Sequence, residues 1–275
     1  MIRPLQEADR TASMALLAEA PHHNLYLLGN MVKLGFDRDF CEFWGDAADG
    51  KLRAVINRYM TGWTLYGRED ADWPALMAVM DDYPVDAQRL QDNPGGIPSV
   101  LPLLRRYQAV AVDVEELMQL FPHDFRPVAA PTGVTVRRAT MDDLPGLVHL
   151  YADAGAMTRT PAGVERPLRD ARVWVGLAEG AIVAAALTNA EATTLAMVGG
   201  VYTEPAWRNR GIAQAVVSKL CDELIRDGLQ PVLYWDTAAA GTVYRKLGFQ
   251  RLGEWRSVRL TRRDSECHRG VFRDR

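Results

Sequence analysis

Residues 204–217 read "EPAWRNRGIAQAVV", and they decide how the second half of the chain is understood. Ile212, Ala213, Val216, Val217, Leu220, Leu224 and Ile225 recur at helical spacing and form one apolar face, which Asp227-Gly228 closes. A helix therefore starts near Arg210. The first N–H groups of a helix lack partners, and its dipole is positive there. Arg208 and Arg210 add charge of the same sign, which makes sense where an anion docks. Upstream, "LAMVGGVYT" (195–203) is a strand that turns at Glu204-Pro205. This strand–turn–helix order lets the N–H groups from Arg208 through Asn209, Arg210, Gly211 and Ile212 to Ala213 converge on a phosphate. Gly211 permits close backbone approach, and Ala213 is too small to block it. Neither G-x-G-x-x-G nor G-x-x-x-x-G-K-[ST] is present, so dinucleotide and P-loop readings are weak.

Working outward, "RVWVGLAEGAIVAAALTNAEATTLAMVGGVYT" (172–203) reads as three consecutive strands, with turns at Glu179-Gly180 and in "NAEA". After the helix come a strand "PVLYWDT" (231–237), a short helix "AAAGTVYRKL" (238–247) and a strand or strand pair in "FQRLGEWRSVRL" (249–260). The segment "FPHDFRPVAAPTG" (121–133) has no strand or helix period and reads as a linker. After it, "VTVRRATMDDLPGLVHLYAD" (134–153) is a strand, Thr140 as N-cap, and a helix. "IRPLQEADRTASMALLAE" (2–19) lies on residues 136–153 without a gap, Ile2 on Val136 and Arg3 on Arg137, which suggests an internal duplication. In the first half, "FCEFWGDA", "LRAVINRYM" and "GWTLYGRE" suggest an antiparallel meander. Helices are expected around "WPALMAVMDDY" and "IPSVLPLLRRY".

The expected fold is α/β (α+β), a mixed, mostly antiparallel sheet flanked by helices, with two similar domains in tandem. They are expected at 1–125 and 134–262, before a charged tail at 263–275. The whole chain has 275 residues, 48% of them apolar and 24% charged, with a net charge of −3. That balance argues against a nucleic-acid or membrane-surface binder, which would be basic. Cys41, Cys221 and Cys267 show no metal spacing, and the N-terminus has no hydrophobic signal core. The expectation is a cytoplasmic monomer or homodimer with no metal and with Cys221 in the core.

Three short stretches resemble one family. Arg208-Asn209-Arg210-Gly211-Ile212-Ala213 is similar to the [R/Q]-x-x-G-x-[G/A] phosphate loop of the GNAT superfamily of N-acetyltransferases. "VYTEP" (201–205) resembles the strand and apolar-x-Pro turn before that loop. "YRKLGF" (244–249) resembles the family's Y-x-K-x-G-F block. The resemblance covers roughly 134–260 and implies that the anion is the pyrophosphate of acetyl-CoA. It also implies main-chain bonds from Val201 and Thr203 to the pantetheine arm and thioester carbonyl, and Tyr244 as the acid that protonates the leaving thiolate. Gly199 and Gly200 suit a bulge that opens the strand. Thr237 stands where the family often has an asparagine that touches the donor, and Ala240 takes the expected small position.

The resemblance thus implies an acyl-CoA-dependent N-acyltransferase that moves acetyl to a primary amine of a small molecule or peptide by direct attack. The alternative is a non-catalytic acyl-CoA-binding sensor or scaffold. A packing tyrosine would give the same sequence at 244, and a solvated helix start the same arginines. Deprotonating a lysine-like amine at pH 7 costs about 4.6 kcal/mol, so a base is wanted. Glu191 is the best carboxylate for that work, with Glu204 and Asp236 also near strand ends; each also reads as a turn or surface charge. In "MTRTPAGVERP" (157–167), a solvated loop by its composition, Arg159, Glu165 and Arg166 are candidates to select a charged acceptor. His22-His23 reads either as a base reaching the second half or as a surface pair.

Overall fold

The computed structural model describes residues 1–92, 96–235 and 238–263. They gather into two compact units: Met1–Glu115 with the chain from Glu254 onward, and Glu116–Gly253.

The first unit contains β1 (Ile2–Pro4), α1 (Arg10–Leu17), α2 (Leu25–Leu34), β2 (Cys41–Ala48), β3 (Lys51–Tyr59), β4 (Gly62–Gly67), α3 (Trp73–Asp82), β5 (Arg89–Asp92), α4 (Gly96–Val100) and most of β6 (Tyr107–Gln119). Strands β1 to β4 pair antiparallel in sequence order, as the meander predicts, and β4 then runs parallel to β5.

The second unit contains β7 (Val134–Arg138), α5 (Leu144–Ala152), α6 (Pro161–Asp170), β8 (Val173–Ala178), β9 (Ala181–Glu191), β10 (Leu195–Thr203), α7 (Ile212–Arg226), β11 (Gln230–Trp235), α8 (Ala238–Leu247) and the start of β12 (Gln250–Arg262). Strands β7 to β10 are again antiparallel neighbours in order, and β10 runs parallel to β11.

The same local device opens both repeats. Arg3 grips Asp9 with two bonds of 2.7 and 2.6 Å, and Asp9 accepts the Gln6 N–H at 2.9 Å. Arg137 grips Asp143 at 2.7 and 2.8 Å, and Asp143 accepts the Thr140 N–H at 2.8 Å. Each carboxylate closes a capping box on a 3-10 turn, which feeds α1 or α5. Thr140 therefore caps the turn that leads into α5.

Strand β9 explains its own composition. Residues 183–188 are buried without a break, which is the pattern of a strand covered on both faces. Ala184 and Ala186 pack with Ile212, Val216 and Leu220 of α7 on one face. Ala185 and Leu187 pack with Leu147 and Tyr151 of α5 and Val164 of α6 on the other. Gly176 of β8 lets α7 come close, since a Cβ there would lie 2.9 Å from Ile212. Cys221 is fully buried in this core, and burial pushes its thiol pKa up.

Three expectations differ from the fold. "IPSVLPLLRRY" is helical only at Gly96–Val100, continues as a 3-10 turn at Leu101–Leu103, and becomes strand at Tyr107. Pro102 lacks the N–H that an extended helix would need. The segment 157–167, read as a loop, contains the start of α6, whose cap is Thr160 accepting from the Gly163 N–H at 3.1 Å. The division at 121–133 also differs. The units part at 115/116 and 253/254, because β6 and β12 are 13-residue strands whose two ends lie in different units. Residues 121–133 belong to the second unit, where Val128 N–H donates to Ser218 Oγ at 2.9 Å and Arg126 N–H to the Leu247 carbonyl at 3.0 Å. Most of the expected tail lies outside the described residues, as does Cys267. Among the described residues no helix is long and apolar enough to cross a membrane.

Candidate active site

The slot of the second unit lies where β10 leaves β11. Their parallel pairing runs through Leu195↔Gln230, Ala196↔Pro231 and Met197↔Val232, then stops. The register with β9 also shifts twice, between Met197 and Val198 and between Gly199 and Tyr202. Gly200 and Val201 are left outside that ladder. Gly200 has φ +58°, and a Cβ there would lie 2.9 Å from Leu187 and 3.1 Å from Arg159 Nη2. At Gly199 a Cβ would collide with the Asn189 side chain at 2.0 Å. Both glycines are thus required by the bulge. The Tyr151 hydroxyl, buried beneath it, donates to the Gly200 carbonyl, and burial pushes its pKa up, so it stays a donor.

Beyond Thr203 a 3-10 turn at Pro205–Trp207 delivers the chain to α7. Asn209 and Gly211 both take left-handed backbone, with φ +62° and +77°. The first bond across the helix start is Ala215 N–H to the Gly211 carbonyl at 3.1 Å, and Gly211 supplies no side-chain cap. None of the N–H groups from Asn209 to Gln214 has an acceptor among the described residues. Arg208 donates through Nε to the Thr203 carbonyl at 3.0 Å and lies over the Tyr202 ring, 5.6 Å from its centroid. Arg210 lies over the Trp207 ring at 4.7 Å. Residues 208–211 are exposed, and neither arginine holds a carboxylate among the described residues. The Thr203 hydroxyl is buried with no partner there. Two cations and a row of amides without acceptors form one electropositive corner.

Tyr244 comes from α8. It is 6% exposed and packs in the same core as Ile212, Val216 and Ala240, with its ring edge-on to Phe249 at 5.8 Å. Val201 packs against this core too. The fold thus brings Val201, Ile212, Ala240 and Tyr244 into one core on one face of the sheet. Thr237 and Asp236 lie outside the described residues.

Residues 169–251 match the family model described as an acetyltransferase (GNAT) domain. They form a GNAT acetyltransferase domain. Its fold recurs in solved structures. A GCN5-related N-acetyltransferase from Sphaerobacter thermophilus is 20% identical, with 95% of each chain covered and a TM-score of 0.65. A tandem GNAT protein from the clavulanic acid biosynthesis pathway is 13% identical, covers 95% of this chain and 98% of its own, and has a TM-score of 0.66. A Drosophila protein is 13% identical over 94% of this chain and 98% of its own, with a TM-score of 0.72. At these identities the likeness is one of fold. No curated protein sequence matches the chain.

Glu191, the carboxylate the sequence offered as base, lies away from the bulge. Glu191 sits at the β9–β10 turn opposite Ala196, four residues or about 13 Å of strand short of the Gly200 bulge. Its carboxylate accepts from Thr188 Oγ1 at 2.7 Å and pairs with Arg172 Nε at 3.3 Å. Arg172 in turn holds Asp227 and Glu223. Glu191 is therefore part of an ion-pair network, separate from the slot. Glu204 stands at the end of β10, where it leads the 3-10 turn. In the segment 157–167, Glu165 is paired with Arg169. Arg159 is anchored by its N–H to the Tyr151 carbonyl at 3.2 Å, with its guanidinium 5.3 Å above the Tyr151 ring. Tyr151 and Asn189, which line the bulge, carry no local sequence signal; only the strand register places them there. No cluster of three or more His, Cys, Asp or Glu that could hold a metal occurs among the described residues.

Proposed function

We propose that the second unit transfers acetyl from acetyl-CoA to the primary amine of a small molecule or peptide, with no covalent enzyme intermediate. The uncapped start of α7 carries this reading. A diphosphate needs several donors in one concave place, and the amides of Asn209 to Ala213 supply them with Arg208 and Arg210 alongside. Charge-assisted hydrogen bonds are worth about 1.5–3 kcal/mol each, so a few of them hold the donor firmly. The pantetheine arm follows the gap between β10 and β11, where Val201 and Thr203 offer main-chain groups. The Thr203 carbonyl already accepts from Arg208, so Val201 makes the larger share of those bonds.

At the bulge the amine nitrogen attacks the thioester carbon, and main-chain N–H groups of β10 stabilise the oxyanion. The amine proton leaves to solvent. The C–S bond then breaks, and the Tyr244 hydroxyl gives its proton to the departing thiolate and regains one from solvent. Release of free thiol from acetyl-CoA across an amine panel tests the proposal. Tyr244→Phe lowers turnover about 10²–10⁴-fold while acetyl-CoA affinity stays within about twofold. Undiminished turnover in that variant would remove Tyr244 from the reaction.

A further inference from the structure

We propose that Arg159 binds a carboxylate on the acyl acceptor, so that the amine acetylated here belongs to a small amino acid-like molecule. This rests on the reading above, which places acyl transfer at the Gly200 bulge. Strand β10 has two faces. Val198 and Val201 pack toward α7 and α8, the side of the uncapped amides and Tyr244. Tyr202 packs toward α5 and α6. With the donor threaded from the first side, the amine must reach the thioester carbon from the second.

On that second side the turn between α5 and α6 holds Arg159 in place. Thr158 Oγ1 accepts the Ala154 N–H at 3.1 Å, and the Arg159 N–H closes onto the Tyr151 carbonyl at 3.2 Å. The guanidinium rests on the Tyr151 ring, whose hydroxyl is fixed to the Gly200 carbonyl, and Nη2 lies 3.1 Å from where a Cβ on Gly200 would stand. Arginine, aromatic ring and bulge are one rigid assembly.

What the guanidinium lacks is an anion. Arg137, Arg138, Arg172 and Arg226 of the same unit each hold a carboxylate. Arg159 has neither a carboxylate nor a side-chain hydrogen bond among the described residues, although it is half-buried. Arg208 and Arg210 at the donor end likewise hold no carboxylate among the described residues. A planar fork stacked on a ring presents its N–H edge outward, which suits two-point binding of a carboxylate. Because the fork sits against the bulge, the carboxylate must lie only two or three bonds from the reacting amine, as in an α- or β-amino acid.

Thiol release with glycine, L-alanine, β-alanine and L-phenylalanine, each beside its carboxamide, tests this. Wild-type protein should show at least a tenfold higher kcat/KM for a carboxylate acceptor than for its amide. Arg159→Gln should cut that kcat/KM about 10- to 100-fold, chiefly through KM, and leave the amides and acetyl-CoA affinity within about twofold. Arg159→Lys should recover part of the loss. Equal use of acids and amides, or equal losses on both in Arg159→Gln, would overturn the role of Arg159 and leave the acetyltransferase reading intact. Calorimetric binding of N-acetylglycine with coenzyme A present gives a readout that needs no turnover. Binding to wild type that weakens at least tenfold in Arg159→Gln supports the anion site even if no acceptor releases thiol. Equal binding to both proteins, or none to either, overturns it.

Discussion

Helices α3 and α7 occupy the same place in their repeats, each following a strand that is antiparallel to one neighbour and parallel to the other. Their starts are opposites. Asp72 leads α3, and its carboxylate accepts the Ala75 N–H at 3.1 Å, while its own N–H donates to Asp46 at 2.9 Å. Gly211 leads α7 and supplies nothing. The preceding strands differ in the same sense. β4 pairs with β3 from Gly62 to Gly67 without a slip, whereas β10 slips twice against β9. A shared topology thus yields a filled helix start in the first unit and an open one in the second. What separates them is one capping side chain and one bulge, and neither is a property of the fold.

The largest expected effect comes from making the second unit resemble the first. Gly211→Asp places a carboxylate at an uncapped start and an L side chain at φ +77°. Acetyl-CoA affinity by calorimetry should fall at least 100-fold; a change under twofold would break the comparison. The reverse change is smaller. Asp72→Ala removes a cap and should cost about 1 kcal/mol in denaturant unfolding while leaving acetyl-CoA affinity unchanged.

Acid should weaken the first unit through His23. Burial lowers its pKa to about 4, and the Nδ1 atom is buried without a partner among the described residues. The unfolded chain binds that proton near pH 6.5 and the folded chain does not. The contribution is therefore complete above pH 6.5 and lost as the pH falls toward 4, and His23→Gln should flatten that part of a stability–pH curve. The smallest effect belongs to Glu191→Gln, which should leave kcat within about twofold because Arg172 and Thr188 hold that carboxylate. A hundredfold loss would return Glu191 to the chemistry.

Much of this was legible in the residues. The three strands before Glu204, the face from Ile212 to Ile225 and the match of Arg3 with Arg137 follow from periodicity and short motifs, because the interactions behind them are local. Helix α6 was hidden because Pro161, Gly163 and Pro167 look like loop residues, although Pro161 occupies a first-turn position that tolerates it. Strand β6 was missed because burial does not alternate along Tyr107–Gln119, so no period marks it. The fate of Glu191 depends on Arg172, 19 residues earlier, and only the β8–β9 pairing brings them together. Arg159 was visible as a charge, but its place beside Gly200 is a tertiary fact.

Amide chemical-shift mapping with acetyl-CoA tests the uncapped helix start most directly. The account predicts that the largest shifts fall on Asn209 to Ala213, with Val201 following and the α3 start at Trp73 to Leu76 unmoved. Shifts centred elsewhere, or saturable binding that leaves Asn209 to Ala213 unmoved, would contradict it.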